Sequence, residues 1–223
     1  MEDKNKIIVL VAVVAVIAIA GVIFATGMLN GNNNQATTQF KTDFMEGSFV
    51  GNVSLENDTE KFMHSYVDKN HHITYNISTV DNSSELMEIY QFQGVPNPEE
   101  RTFNGNDWNI YFTQAIPGND TSNTTNAMNI VICESQGQKQ GYLIYAIFDA
   151  KSDINSTNNI FSDGYLEYIE PLLKSITLKE SKNVPAINDE YGMTQDEFSQ
   201  QMDLVKQFKA GNTSALNSGS EAQ

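Results

Sequence analysis

From Ile7 to Leu29 the chain carries no charged residue, and only Gly21, Thr26 and Gly27 interrupt its apolar character. A helix over these 23 residues would measure roughly 34 Å, enough to cross a hydrocarbon core of about 30 Å. Ala18-Ile19-Ala20 before Gly21 has the form of a signal-peptidase site. The apolar run continues through it, however, whereas a secretory signal has an apolar region of only ~7–15 residues. The expectation is a retained signal anchor, a transmembrane helix over 7–29. Lys4 and Lys6 precede it, and no Lys or Arg follows before Lys41. Basic residues near a span stay cytoplasmic. Residues 1–6 are therefore expected as a cytoplasmic stub of a single-pass cell-membrane protein with the bulk of the chain outside. A lipoprotein anchor would need a cysteine just after the run, and the only cysteine is Cys133.

The formal net charge of −15 lies wholly beyond the anchor, since Glu2 and Asp3 offset Lys4 and Lys6. So acidic a chain is unsuited to neutralising phosphates, and no nucleic-acid partner is expected. A single cysteine allows no internal disulfide, so an extracytoplasmic domain must be held by packing. Asn-x-Ser/Thr sequons begin at Asn52, Asn57, Asn76, Asn82, Asn119, Asn123, Asn155 and Asn212, about twice what chance supplies. They read either as a compositional taste for asparagine or as glycosylation sites on the outward side, the latter making the chain a glycoprotein.

An Asn-rich spacer at 30–40 leads into an expected domain at 41–179. Strand-like stretches are Ser48–Leu55, His71–Thr79 and Leu86–Phe92. In the second, Ile73, Tyr75 and Ile77 take one face, and His72, Thr74, Asn76 and Ser78 a face expected to be wet. Asn104-Gly105 marks a tight turn, after which Trp108, Ile110 and Phe112 alternate. Met128–Glu134 and Gly141–Phe148 form the best hairpin; the latter is apolar on both faces, as a central strand against a helix would be. That helix is expected over Asn159–Lys174, kinked or ended near Glu170 by Pro171, with a short strand over Ser175–Leu178. Residues 180–193 read as a linker. Thr194-Gln195-Asp196-Glu197 is a capping box opening a helix over 194–210, and 211–223 read as a disordered tail. The helix carries a stripe of Phe198, Met202 and Val205, which either docks on its own domain or serves as a partner helix face.

Chemistry is sparse. His71 and His72, adjacent on a strand, would point to opposite faces and not share a metal. Cys133 sits in an apolar strand and reads as a small hydrophobe. Asp81 to Glu85 and Asn106-Asp107 lack the ligand pattern of a calcium loop. No nucleotide-binding, serine-hydrolase or zinc-protease motif is present. Tyr90, Trp108, Tyr111, Phe112, Tyr142, Tyr145 and Phe148 suit a sheet core or a ligand-stacking surface. No catalytic, cofactor or metal residues are expected.

The apolar start, Phe44-Met45-Glu46-Gly47, Phe103-Asn104-Gly105-Asn106-Asp107-Trp108 and Pro171-Leu172-Leu173-Lys174-Ser175-Ile176 resemble a loose group of uncharacterised single-span surface proteins of methane-producing archaea. The run of strands ending in a helix also resembles the PsbP-like architecture, which implies an antiparallel sheet flanked by helices. The expected fold class is α+β: a transmembrane helix, an antiparallel sheet of about five to seven strands packed on a helix, and a separate C-terminal amphipathic helix. The expected function is a membrane-anchored extracytoplasmic binding or interaction module without catalysis, its partner an envelope protein or a glycan. The alternatives are a structural or adhesive cell-envelope glycoprotein subunit and an extracytoplasmic hydrolase.

Overall fold

A computed structural model describes residues 37–60, 63–115, 128–149, 152, 164–182, 184–190 and 193–210. Within them the strands are β1 (Thr37–Lys41), β2 (Met45–Val50), β3 (Val53–Glu60), β4 (Met63–Asp68), β5 (Ile73–Val80), β6 (Glu99–Phe103), β7 (Asn106–Ala115), β8 (Met128–Gln136), β9 (Gly141–Phe148) and β10 (Thr177–Leu178). The helices are α1 (Ser83–Phe92), α2 (Glu170–Ser175), α3 (Ile187–Glu190) and α4 (Gln195–Lys209), and a π-helical turn, Tyr165–Ile169, leads into α2.

The strands form two sheets, a three-stranded one ordered β1-β2-β10 and a seven-stranded one ordered β3-β4-β5-β9-β8-β7-β6. This corrects the expected α+β class: the described chain is mostly β, with a second sheet where one was expected and few helices. The split turns on Gly51. Its φ of +98° is a conformation that L side chains rarely adopt, and it lets the chain leave β2 in the small sheet and start β3 at the edge of the large one. Ser48–Leu55 is thus two strands in two sheets rather than one. β1 overlaps the end of the expected spacer. Among the described residues no helix is long and apolar enough to cross a membrane; the expected transmembrane helix over 7–29 lies outside them, as does the tail.

Every residue of β5 and of β9 is buried, so the large sheet needs a cover on each face. One face packs Tyr75, Ile77, Trp108, Ile110, Val131, Cys133 and Ile144 against Phe40, Phe44 and Phe49 of the small-sheet layer and Tyr165, Tyr168, Leu172 and Leu173 of the helical turn and α2. The other packs Ile130, Ile132, Leu143, Tyr145 and Ile147 against Leu86, Met87, Ile89 and Tyr90 of α1 and Phe198, Met202 and Val205 of α4. The C-terminal helix is therefore not separate. It contributes to the second core and is joined to α1 by Lys209 Nζ, 3.4 Å from Glu88 Oε1.

Three local differences have physical causes. Leu86–Phe92 is helical, not a strand, because Asn82 Oδ1 accepts from Glu85 N at 3.2 Å and caps α1, and because its apolar residues serve two turns facing one core. Pro171 does not end its helix. Just before it the Glu170 N–H reaches back to Tyr165 O, so Pro171, which has no N–H to donate, sits in the first turn of α2, where such a donor is unsatisfied anyway. Asn76 is buried, 4 % exposed, with Ser65 Oγ donating to its Oδ1 at 2.6 Å. The face of β5 expected to be wet is covered.

At Gly141 the large sheet and the start of α1 come into close contact. A Cβ there would lie 2.0 Å from Ser83 Oγ and 2.2 Å from Ser83 Cβ. Gly141→Ala is expected to destabilise the fold by about 2–3 kcal/mol through overpacking. Gly105→Ala, at φ +78° with nothing within 4 Å, costs only the left-handed backbone penalty of about 1 kcal/mol. Urea denaturation of both variants checks this; equal losses would contradict the packing at Gly141.

Candidate functional site

Strand register brings two buried carboxylates to opposite ends of the large sheet. Across one end run Val53, Asp68, Ile73, Phe148 and Asn129, each paired with the next. Across the other run Val80, Gly141 and Gln136, with Glu134 two residues inside.

Asp68 is fully buried at the end of β4. Its Oδ1 accepts from Asn70 N at 2.9 Å and His71 N at 3.2 Å, and its Oδ2 lies 2.8 Å from His71 Nδ1. One carboxylate thus shapes the turn between β4 and β5 and orients the imidazole. The histidines lie in this turn, before β5 begins, and not on a strand as expected. His71 packs its ring 5.1 Å from that of Tyr168 in the π-helical turn, and its side chain is 36 % exposed. Gly51 closes the corner, since a Cβ there would sit 2.5 Å from Asp68 Oδ2. With Nδ1–H donating to the Asp68 carboxylate, Nε2 is the nitrogen left for an outside group, an acceptor in the neutral ring. The Asp-x-x-His spacing is visible in the sequence, but a reading centred on the adjacent pair His71 and His72 passes over Asp68.

Glu134 is 1 % exposed. Ser83 Oγ donates to its Oε1 at 2.6 Å, and Asn109 Nδ2 to its Oε2 at 2.7 Å. Ser83 is the first residue of α1, so Glu134 lies at the N-terminus of that helix. Nearby, Gln136 Oε1 accepts from Ser83 N at 3.0 Å, Gln140 Nε2 donates to Thr79 Oγ1 at 2.9 Å, and Ser181 N donates to Gln140 Oε1 at 2.7 Å. Asp81 N donates to Pro185 O at 3.0 Å, and Ile187 N to Asp81 Oδ1 at 3.0 Å. The stretch expected as a linker is therefore tied to the start of α1. This network joins three segments, and the hydrogen bonds that hold Glu134 in it come from neutral groups.

The remaining candidates are dispersed. Asn52 is exposed beside Gly51, Asn82 caps α1, and Asn57 lies on β3 opposite Ser65. Asn119, Asn123, Asn155 and Asn212 fall outside the described residues. Phe198, Met202 and Val205 are buried in the second core against α1. The aromatic residues considered for stacking lie within the two cores, with Phe112 at the margin of the first. Cys133 is buried, and burial pushes its thiol well above the usual range. Among the described residues no group of three or more His, Cys, Asp or Glu is placed to hold a metal ion.

No protein-family profile matches the chain, and no curated protein does. Among solved structures, the cyanobacterial PsbP protein (CyanoP) of Synechocystis aligns at a TM-score of 0.43 and 10 % identity, over 69 % of this chain and 98 % of its own. A Bacteroides thetaiotaomicron protein aligns at 0.41 and 6 % identity, over 67 % of this chain and 51 % of its own. The chain spans about half the length of that second protein. A PsbP protein, whose architecture is the one expected from the run of strands, is thus among these neighbours, at a similarity that carries no argument about the fold of this chain. The resemblance to archaeal surface proteins has no counterpart among them. Similarity at this level carries no statement about ligand or activity.

Burial raises the phenol pKa of Tyr75, Tyr111, Tyr142 and Tyr165, that of Tyr111 to about 12, with the Glu134 charge adding to it. A raised folded pKa stabilises the fold fully below the unfolded value near 10 and is lost as pH rises through the folded value. In an ultraviolet titration these four of the nine tyrosines are expected to stay protonated past pH ~10 and to ionise only as the fold opens. Cys133 is expected to react with a thiol reagent over the same transition. Reversible formation of all nine phenolates in folded protein near pH ~10 would contradict this burial.

Proposed function

We propose that the apolar run from Ile7 to Leu29 holds this chain in a cell membrane and that the domain stands outside the cell as a binding module without chemistry of its own. The observation that carries the reading is that the buried reactive groups are committed internally. Asp68 is engaged by its turn and His71, Glu134 by Ser83 and Asn109, and Cys133 by the core. A general acid for hydrolysis needs free approach to the substrate and a partner that shares the reacting proton. Two buried acids at opposite ends of a sheet, each held by donors of its own fold, lack both. Recognition then falls to the surface, and the partner is an envelope protein or a glycan.

An envelope glycoprotein is the second reading, favoured by the exposure of the Asn52 sequon at a corner of the domain. A glycan is a bulky, solvated group that an exposed asparagine can carry and a buried one cannot.

Native mass spectrometry of the protein extracted in mild detergent from its own cells tests the main reading. The expected species retains residues 1–29 and carries a stable companion or sugar. A bare species beginning at Gly21 would contradict it. In the same sample, glycopeptide mapping is expected to find sugar at Asn52 and none at Asn76; modified Asn76 in folded protein would contradict the buried position of that strand face.

A further inference from the structure

We propose that the domain stands on the membrane in one sense, with the corner formed by Gly51 and the turn Lys69-Asn70-His71-His72 against the lipid headgroups and the Gly137–Gln140 hairpin turn pointing away from them. This rests on the membrane attachment proposed above and adds to it the surface that meets the lipid.

The first support is where the chain enters the fold. β1 begins at Thr37, opposite Val50 at the end of β2. Thr38 Oγ1 donates to Gly51 O at 2.8 Å and accepts from Val53 N at 3.0 Å. The start of β1 is thereby fastened to the Gly51 corner, which in turn lies on Asp68. Everything in the row from Val53 through Asp68 and Ile73 to Phe148 is at the same end as the point of attachment.

The second support is reach. Between Leu29 and Thr37 lie seven residues, which span at most about 28 Å from one Cα to the other when fully extended. On β5, Ile73 marks the attached end and Val80 the far end, with Gly141 beside it. Seven residue steps of strand separate the two by about 24 Å. Inverting the domain would raise Thr37 by that length plus a headgroup layer of roughly 6 Å, before the hairpin turn beyond Gly141 is counted. Only a connection at full extension approaches that height, whereas the sense proposed leaves it slack.

The described residues of this turn are polar. Lys69 and Asn70 are exposed, and His71 and His72 are partly exposed. An ammonium, an amide and two imidazoles are donors of the kind that meet phosphate and glycerol oxygens. Lys69 is paired with Glu56 at 3.3 Å, and at the far end the hairpin carries Lys139, paired with Glu180 at 2.6 Å. The two lysines, each in a surface ion pair, are therefore matched reporters of the two ends.

The test places a donor dye on Lys69→Cys or Lys139→Cys in the full chain, reconstituted in vesicles of a neutral phosphatidylcholine carrying an acceptor on a small share of headgroups. Cys133 is buried and gives the unlabelled background, checked with the unsubstituted chain. Energy transfer from position 69 is expected to exceed that from 139 at least about twofold, and an insertion of about twenty Gly/Ser residues after Asn34 is expected to erase the difference. A chain that floats with the vesicles but transfers equally from both positions, or more from 139, overturns the orientation and leaves the attachment standing. A chain that stays behind when the vesicles float overturns both.

Discussion

Burial of the central strands on both faces is the constraint from which the architecture follows. A strand exposed on one side can alternate apolar and polar residues; β9 cannot, and reads Gly-Tyr-Leu-Ile-Tyr-Ala-Ile-Phe with every position buried. Burying an apolar side chain contributes roughly 1.5–3 kcal/mol, but a sheet collects it on both faces only if something covers each. Here the chain supplies one cover from the small sheet with α2 and the other from α1 with α4. The Gly51 corner makes the first cover possible, and the contact of Ser83 with Gly141 brings the second close.

The same constraint governs the polar groups. A carboxylate taken from water costs several kcal/mol unless hydrogen bonds replace its hydration. Asp68 receives two backbone N–H groups and an imidazole; Glu134 receives the Ser83 hydroxyl at the start of α1 and the Asn109 amide from β7. Both acids thereby fix connections: one the turn into β5, the other the joint between β8 and α1. Their function in the fold accounts for their burial without an appeal to catalysis.

How much of this is legible in the sequence follows from where local and tertiary signals agree. The capping box is legible because it is a local exchange, Thr194 N donating to Glu197 Oε2 at 2.9 Å and Glu197 N to Thr194 Oγ1 at 3.3 Å. Asn104-Gly105 is legible because both residues take positive φ, 51° and 78°. The hairpin of β8 and β9 is legible from apolar runs flanking a polar turn. Leu86–Phe92 misleads because seven apolar-rich residues suit a strand or a helix equally, although Asn82 and Glu85 already spell the cap. The second face of β5 misleads because Thr74, Asn76 and Ser78 look solvated until the cover is known. Asp68 escapes notice for a related reason: two of its partners are backbone groups of a turn, which no side-chain motif announces.

Native-state hydrogen exchange resolved to single strands tests the two-sided core most directly. The amides of β5, β8 and β9 are predicted to exchange only through global unfolding, all with one free energy, while edge strands β3 and β6 exchange earlier. Exchange of β5 as fast as that of β6, with β8 and β9 still protected, would show that one face of the sheet lacks its cover and would contradict the account.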